Sequence, residues 1–210
     1  MDQQNDIACT AFCGDHRIAC GDLRQVALTA KAASERDRPQ PVFIWENATG
    51  RLIDIDLSGI EADVLARVKD RQSHQKMQGN GDNEAHREKQ RGPGRPKLGV
   101  VGREVTLLPR HWDWLRSQPG GASVALRKLV EQARLANVDK DRASRSQQAA
   151  YAFLSFMCGD RPGFEEASRA LFRGERGDFE ALIAGWPTDN RDFAKSLAAP
   201  GFQEDSDGGQ

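Results

Sequence analysis

The stretch Arg91-Gly92-Pro93-Gly94-Arg95-Pro96-Lys97 carries the most specific chemistry in this chain, and that chemistry is contact with a polyanion. Pro93 and Pro96 hold φ near about −65° and bias the residues before them away from helix. Gly94 has no side chain to strike a groove wall. Arg95 can therefore lie along a narrow A·T-rich DNA minor groove, where the negative potential is strongest. Arg91 and Lys97 flank it with further positive charge.

Other reactive residue types are present without the spacing that chemistry needs. Cys9, Cys13, His16 and Cys20 have the donor types for zinc, but their intervals match no familiar finger or knuckle. On a strand they read as small hydrophobes, and so does Cys158 behind an apolar helix. Asp54 and Asp56 share one strand face, where alternation with Ile53, Ile55 and Leu57 makes them the wet side of a hairpin. His74, His86 and His111 have no metal-ligand spacing. Phosphate-loop, dinucleotide and nucleophile-elbow signatures are missing from the sequence. The expectation is a non-enzymatic protein with no cofactor and no metal.

The elements that must position these groups follow from periodicity. Ile7–Cys13 and Arg17–Cys20 read as a hairpin turning at Gly14-Asp15. Asp22 is a helix N-cap with Gln25 three residues on, and Leu23, Val26, Ala27 and Ala30 share a helical face. Pro41–Trp45 and Leu52–Leu57 read as strands. Ser58-Gly59-Ile60-Glu61 reads as a capping box before Ile60, Val64, Leu65 and Val68. From Lys69 to Lys97 bulky apolar side chains are nearly absent, which predicts a disordered linker.

Pattern returns at Arg103–Leu108, a strand candidate with Val105 and Leu107 on one face. Pro109 opens a helix carrying Trp112 and Leu115. Ser123 fits the N-cap of a second helix, with Leu126, Leu129, Val130 and Ala133 on one face. Ser144 and Gln147 form a capping box before Tyr151, Phe153, Leu154 and Met157. Helices follow around Phe164–Leu171, Phe179–Trp186 and Phe193–Leu197, with Phe164, Phe179, Trp186 and Phe193 as core. The tail from Pro200 reads as acidic and disordered.

The expected fold class is α+β. A small α+β domain spans 1–68, a basic linker 69–97, a strand–helix–helix unit 98–137, a helical segment 138–198 and a tail 199–210. With 38% hydrophobic and 29% charged residues, the 210-residue chain has modest cores and solvated joints. Its overall charge of −1 hides an uneven distribution, −5 over 1–66, +9 over 67–159 and −5 over 160–210. A basic middle between acidic ends fits a nucleic acid partner, and equally a solvated linker rich in Lys and Arg. Met1–Asp6 has neither the basic nor the apolar part of a secretion signal. No run reaches the roughly 18 apolar residues of a membrane span. A cytosolic location without membrane association is therefore expected.

Val105-Thr106-Leu107-Leu108-Pro109, Trp112, Leu115, Gly121-Ala122-Ser123 and Leu126-Arg127-Lys128-Leu129-Val130 together resemble the ribbon-helix-helix DNA-binding fold. The resemblance implies a homodimer through 103–135 whose paired strands enter a major groove, with the backbone at Gly121–Ser123 holding a phosphate. If Val105 and Leu107 face the core, Glu104, Thr106 and Leu108 face the groove, and Thr106 is the one comfortable base reader. Arg103 has the wrong parity for that face unless it lies beyond the strand's regular pleat. The 91–97 stretch resembles an AT-hook in which Pro93 replaces an arginine.

Taken whole, the chain resembles an uncharacterised bacterial family, domain of unknown function 2239. The resemblance rests on Gly94–Val101 running into Arg103–Trp112, on Gly120–Val130, and on Gly159-Asp160, Pro162–Ala167 and Phe179–Leu182. It supports a domain layout and implies no activity. Two functions stay open: a regulatory DNA-binding dimer, and a protein-interaction adaptor whose strand–helix–helix unit only dimerises. Both leave the flanking segments as possible protein-binding modules.

Overall fold

The computed structural model describes residues 7–36, 40–84 and 103–202, with side chains described to residue 74 in the second stretch. Arg91, Arg95 and Lys97 lie outside the described residues. The fold class is α+β: among the described residues there are eight α-helices and one three-stranded antiparallel sheet. Backbone contacts divide the chain into two compact units, 1–77 with 141–210, and 78–140.

In the first unit, β1 (Ala8–Cys13) and β2 (His16–Asp22) form the expected hairpin, turning at Gly14, whose φ is +56°. The third strand, β3 (Val42–Glu46), lies on the other side of β1, giving the order β2-β1-β3. Asp22 caps α1 (Leu23–Ser34), accepting from the amides of Arg24 and Gln25 at 3.0 Å each. The sheet is covered on both faces. Cys9, Ala11 and Ile44 pack against Leu23, Val26, Ala27 and Ala30 of α1, with Val64 and Val68 of α2 (Glu61–Glu84). Phe12 and Trp45, one residue out of phase, pack instead with Phe153, Leu154, Phe193 and Leu197 from the C-terminal helices. The pleat's period of two thus sends alternate residues into two different cores.

Those C-terminal helices are α5 (Val138–Met157), α6 (Phe164–Arg173), α7 (Arg176–Leu182) and α8 (Thr188–Ala198). Phe179, Trp186 and Phe193 are core as expected, and Phe164 packs at its edge. The segments read separately in sequence as 1–68 and 138–198 therefore share one hydrophobic core.

Several boundaries differ from expectation, each for a visible reason. Leu52–Leu57 is not a strand. Only Leu52 makes an isolated bridge, to Trp45, and side chains then satisfy the following carbonyls. Arg67 donates to the carbonyls of Asp56 and Ser58, Arg71 to that of Asp54, and buried Lys31 to that of Gly59. The capping box at α2 is shifted by two residues, with the Asp63 carboxylate accepting from the Ile60 amide at 3.0 Å. α2 itself continues to Glu84 through what reads as linker: a helix already nucleated on a packed first turn extends at little cost through Lys, Arg and Gln, while Gly79 and Gly81 near its end each cost about 1 kcal/mol.

Ser144 does not start a helix either, since α5 is already helical from Val138. Residues 199–202 of the tail are part of the described fold. A 3₁₀ turn, Ala199–Gly201, delivers the Phe202 ring to Phe179 with centroids 5.6 Å apart.

The second unit contains α3 (Pro109–Ser117) and α4 (Gly121–Ala136). Pro109 occupies the first turn of α3 as expected. Residues 103–108 form no ladder with any described strand. Ser123 is not the N-cap of α4. That place belongs to Gly120, in the left-handed region at φ +85°, and Gly121 also takes a positive φ of +73°. Two consecutive glycines let the chain reverse and start the helix earlier than a serine cap would.

Candidate functional site

Residues 103–136 hold the sequence-predicted site residues that fall within the described chain. Arg103, Thr106 and Ser123 are exposed, and Gly121 is half-buried at the start of α4. The Gly121 amide already donates to the Gln118 carbonyl at 3.0 Å. The amides of Ala122 and Ser123 fall in the first helical turn, where intrahelical acceptors are lacking.

The unit buries little. Leu115 and Ala125 are its only buried hydrophobic side chains among the described residues of 103–136. Val105 is 51% exposed, Trp114 50% and Val130 63%, and Leu108, Leu129 and Leu135 are also open. The expected inward facing of Val105 is not met: Leu107 is half-buried, and Val105 is as open as Leu108. The apolar face drawn by Leu129 and Val130 on α4 exists, but nothing described covers it. The described cations of 103–136 lie at the surface. Arg110, Arg127 and Lys128 are exposed, while Arg116 pairs with Asp113 and Arg134 with Glu131. The Arg134 guanidinium draws the Glu131 carboxyl below its ordinary range by hydrogen bond and by charge.

In the first unit the polar groups converge differently. The Asp15 carboxylate, at the β1–β2 turn, accepts from Arg161 Nη2 at 2.7 Å and from Asn190 Nδ2 at 2.8 Å. The Arg17 amide on β2 donates to Asp189 at 2.8 Å. These contacts bind the hairpin to α8 and to the loop after α5. Sequence reading missed them because the partners lie 146 and 175 residues from Asp15. Such a link leaves no local signal.

Cys9 and Cys158 are core as expected, whereas Cys13 is half-buried and Cys20 is exposed. Cys9 is fully buried and its thiol is pushed up to about 12, chiefly by burial and then by Glu46. Burial likewise pushes Cys158 up to about 12, with Asp15 and Asp160 adding to it against the opposing pull of Arg161. Both are held as thiols, the form that neither attacks nor ligates. No three His, Cys, Asp or Glu side chains converge as metal ligands among the described residues. No described helix is long and apolar enough to cross a membrane.

Fold and surface together define an α+β protein in which an antiparallel sheet is sandwiched by helices and a second unit displays two helices with an uncovered apolar face. The chain belongs to a bacterial family, the uncharacterized protein conserved in bacteria (DUF2239), whose model matches residues 8–198. No curated protein and no solved structure matches it.

Proposed function

We propose that this is a DNA-binding protein of regulatory type, acting as a homodimer through residues 103–135. The observation that carries the reading is an uncovered apolar face on a basic unit. Residues 78–140 have a net charge of +5, yet Val105, Trp114, Leu129 and Val130 are exposed there. Residues 103–136, with Leu115 and Ala125 as their only buried hydrophobic side chains, cannot offset their chain entropy alone, and a second copy of the same face supplies the missing core. Pairing residues 103–108 between two copies would satisfy their backbone and raise Thr106, with Glu104 and Leu108, on a shared surface. The first-turn amides of Ala122 and Ser123 then hold a phosphate, the Gly121 amide being taken by the Gln118 carbonyl. Arg91, Arg95 and Lys97 reach an A·T-rich minor groove just ahead of that surface.

Titrating the full chain against an A·T-rich duplex at increasing salt tests this. About five phosphate contacts predict affinity falling log-linearly, by roughly 10²–10³-fold between 50 and 200 mM salt. Arg95→Ala should weaken binding measurably. Absence of binding at low salt, or indifference to Arg95→Ala, overturns the reading.

One observation favours a second reading, that of an adaptor which dimerises without touching DNA. Glu104 and Leu108 are exposed with Thr106, so the face offers a carboxylate that repels phosphate and a side chain that cannot hydrogen-bond a base. Light scattering gives a dimer for both readings, and only the first is retained on DNA cellulose.

A further inference from the structure

A cleft in the first unit carries an inference independent of the DNA reading. We propose that the cleft framed by Asn47, Arg142, Arg145 and Ser196 binds a small organic phosphate.

The cleft has a volume of about 350 Å³ and lies where three elements meet. Arg142, Arg145 and Ala149 come from one face of α5, at helical spacing. Asn47 and Ala48 come from the turn after β3, and Ser196, Leu197 and Pro200 from the end of α8. These elements are fixed against one another. Gly50 lies so close to α5 that a Cβ there would fall 2.0 Å from the Ala149 carbonyl oxygen. Ser146 Oγ donates to the Leu197 carbonyl at 2.5 Å, which binds α5 to α8. A Cβ on Gly201 would fall 3.1 Å from the Ala143 carbonyl oxygen, so the chain after α8 also lies on α5. The walls are built before any ligand arrives, which lowers the ordering cost of binding.

Its charge is the second argument. No Asp or Glu lines the cleft. Several other guanidinium groups of this unit find carboxylates: Arg67 with Asp56, Arg161 with Asp15, Arg173 with Glu175, Arg176 with Glu180. Arg142 makes no ion pair or hydrogen bond among the described residues. Arg145 reaches only the Asp141 carbonyl, at 3.1 Å. Asn47 adds donors, because its Oδ1 is taken by the Thr10 hydroxyl at 2.8 Å and its amide hydrogens remain. Two forked guanidiniums and an amide supply more donors than a single carboxylate can accept, and they match the three oxygens and near-double charge of a phosphate monoester. Ala48, Ala149, Leu197 and Pro200 form an apolar floor for the organic part, and the volume is at the small-molecule end of binding sites.

Isothermal titration of the full chain with ribose 5-phosphate, inorganic phosphate and glutarate tests the assignment. The expected result is saturable binding of ribose 5-phosphate, tighter than that of phosphate or glutarate. In the Arg142→Ala/Arg145→Ala double variant the affinity should fall by at least about tenfold, with the helical circular dichroism and melting temperature of the free protein unchanged. Both arginines are exposed, so the variant keeps its core. Three results overturn the proposal: no heat from ribose 5-phosphate at low salt, equal affinity in the double variant, or glutarate binding as tightly as ribose 5-phosphate.

Discussion

Gly50 shows how much a single residue can decide here. It combines a left-handed φ of +61° with an approach to α5 that leaves no room for a side chain. Gly50→Ala should cost about 2 kcal/mol or more, seen as a lower midpoint in urea unfolding, because both the strain and the displaced helix backbone act together. The reason for this glycine is not legible in sequence, since the helix it touches lies about a hundred positions on. Asp15 is similar. Replacing it by Ala leaves Arg161 and Asn190 without their acceptor, and the expected loss is about 1–2 kcal/mol, reduced by the partial exposure of the pair. Equilibrium unfolding of Asp15→Ala checks it. By contrast the Asp22 cap was fully legible, because an N-cap acts only on the two or three residues that follow it.

Among the elements, the C-terminal helices were readable from spacing and the segment after β3 was not. Residues 52–57 alternate apolar and acidic as a strand does, and the alternation is real: Ile53 is buried while Ile55 and Leu57 are half-buried. What prevents a strand is Arg67, Arg71 and Lys31 taking its carbonyls from the side. The tail misled in the opposite sense. Its acidic composition masks Phe202, which closes the core beside Phe179, so Phe202→Ala should lower stability by about 2–3 kcal/mol in thermal or urea unfolding. The α7–α8 contact has a pH signature. Hydrogen bonds from Arg176 and then Lys195 hold the Glu180 carboxyl below its ordinary value of 4.5. Its stabilising effect is therefore complete above that value and is lost as pH falls through the lower folded one. Glu180→Gln should melt earlier than the parent at pH 7, and the gap between them should narrow as the pH falls below 4.5.

For the molecule as a whole, oligomeric state is the property with most at stake. The proposed dimer predicts twice the monomer mass in light scattering. Leu129→Glu with Val130→Glu should return it to one mass without lowering the stability of the first unit, because neither side chain is buried in the chain itself. Local pattern determined the α+β class, the hairpin, the Asp22 cap, the periodic helices and the basic middle of the chain, since each depends on neighbours within a few residues. Only tertiary structure decided that the sheet sends alternate residues into two cores, that segments 1–68 and 138–198 fold as one unit, and that Arg142 and Arg145 face a cleft shared with β3 and α8. Those outcomes depend on side chains from about fifty to well over a hundred positions apart meeting across layers, and one-dimensional spacing holds no record of which distant surface a face will find.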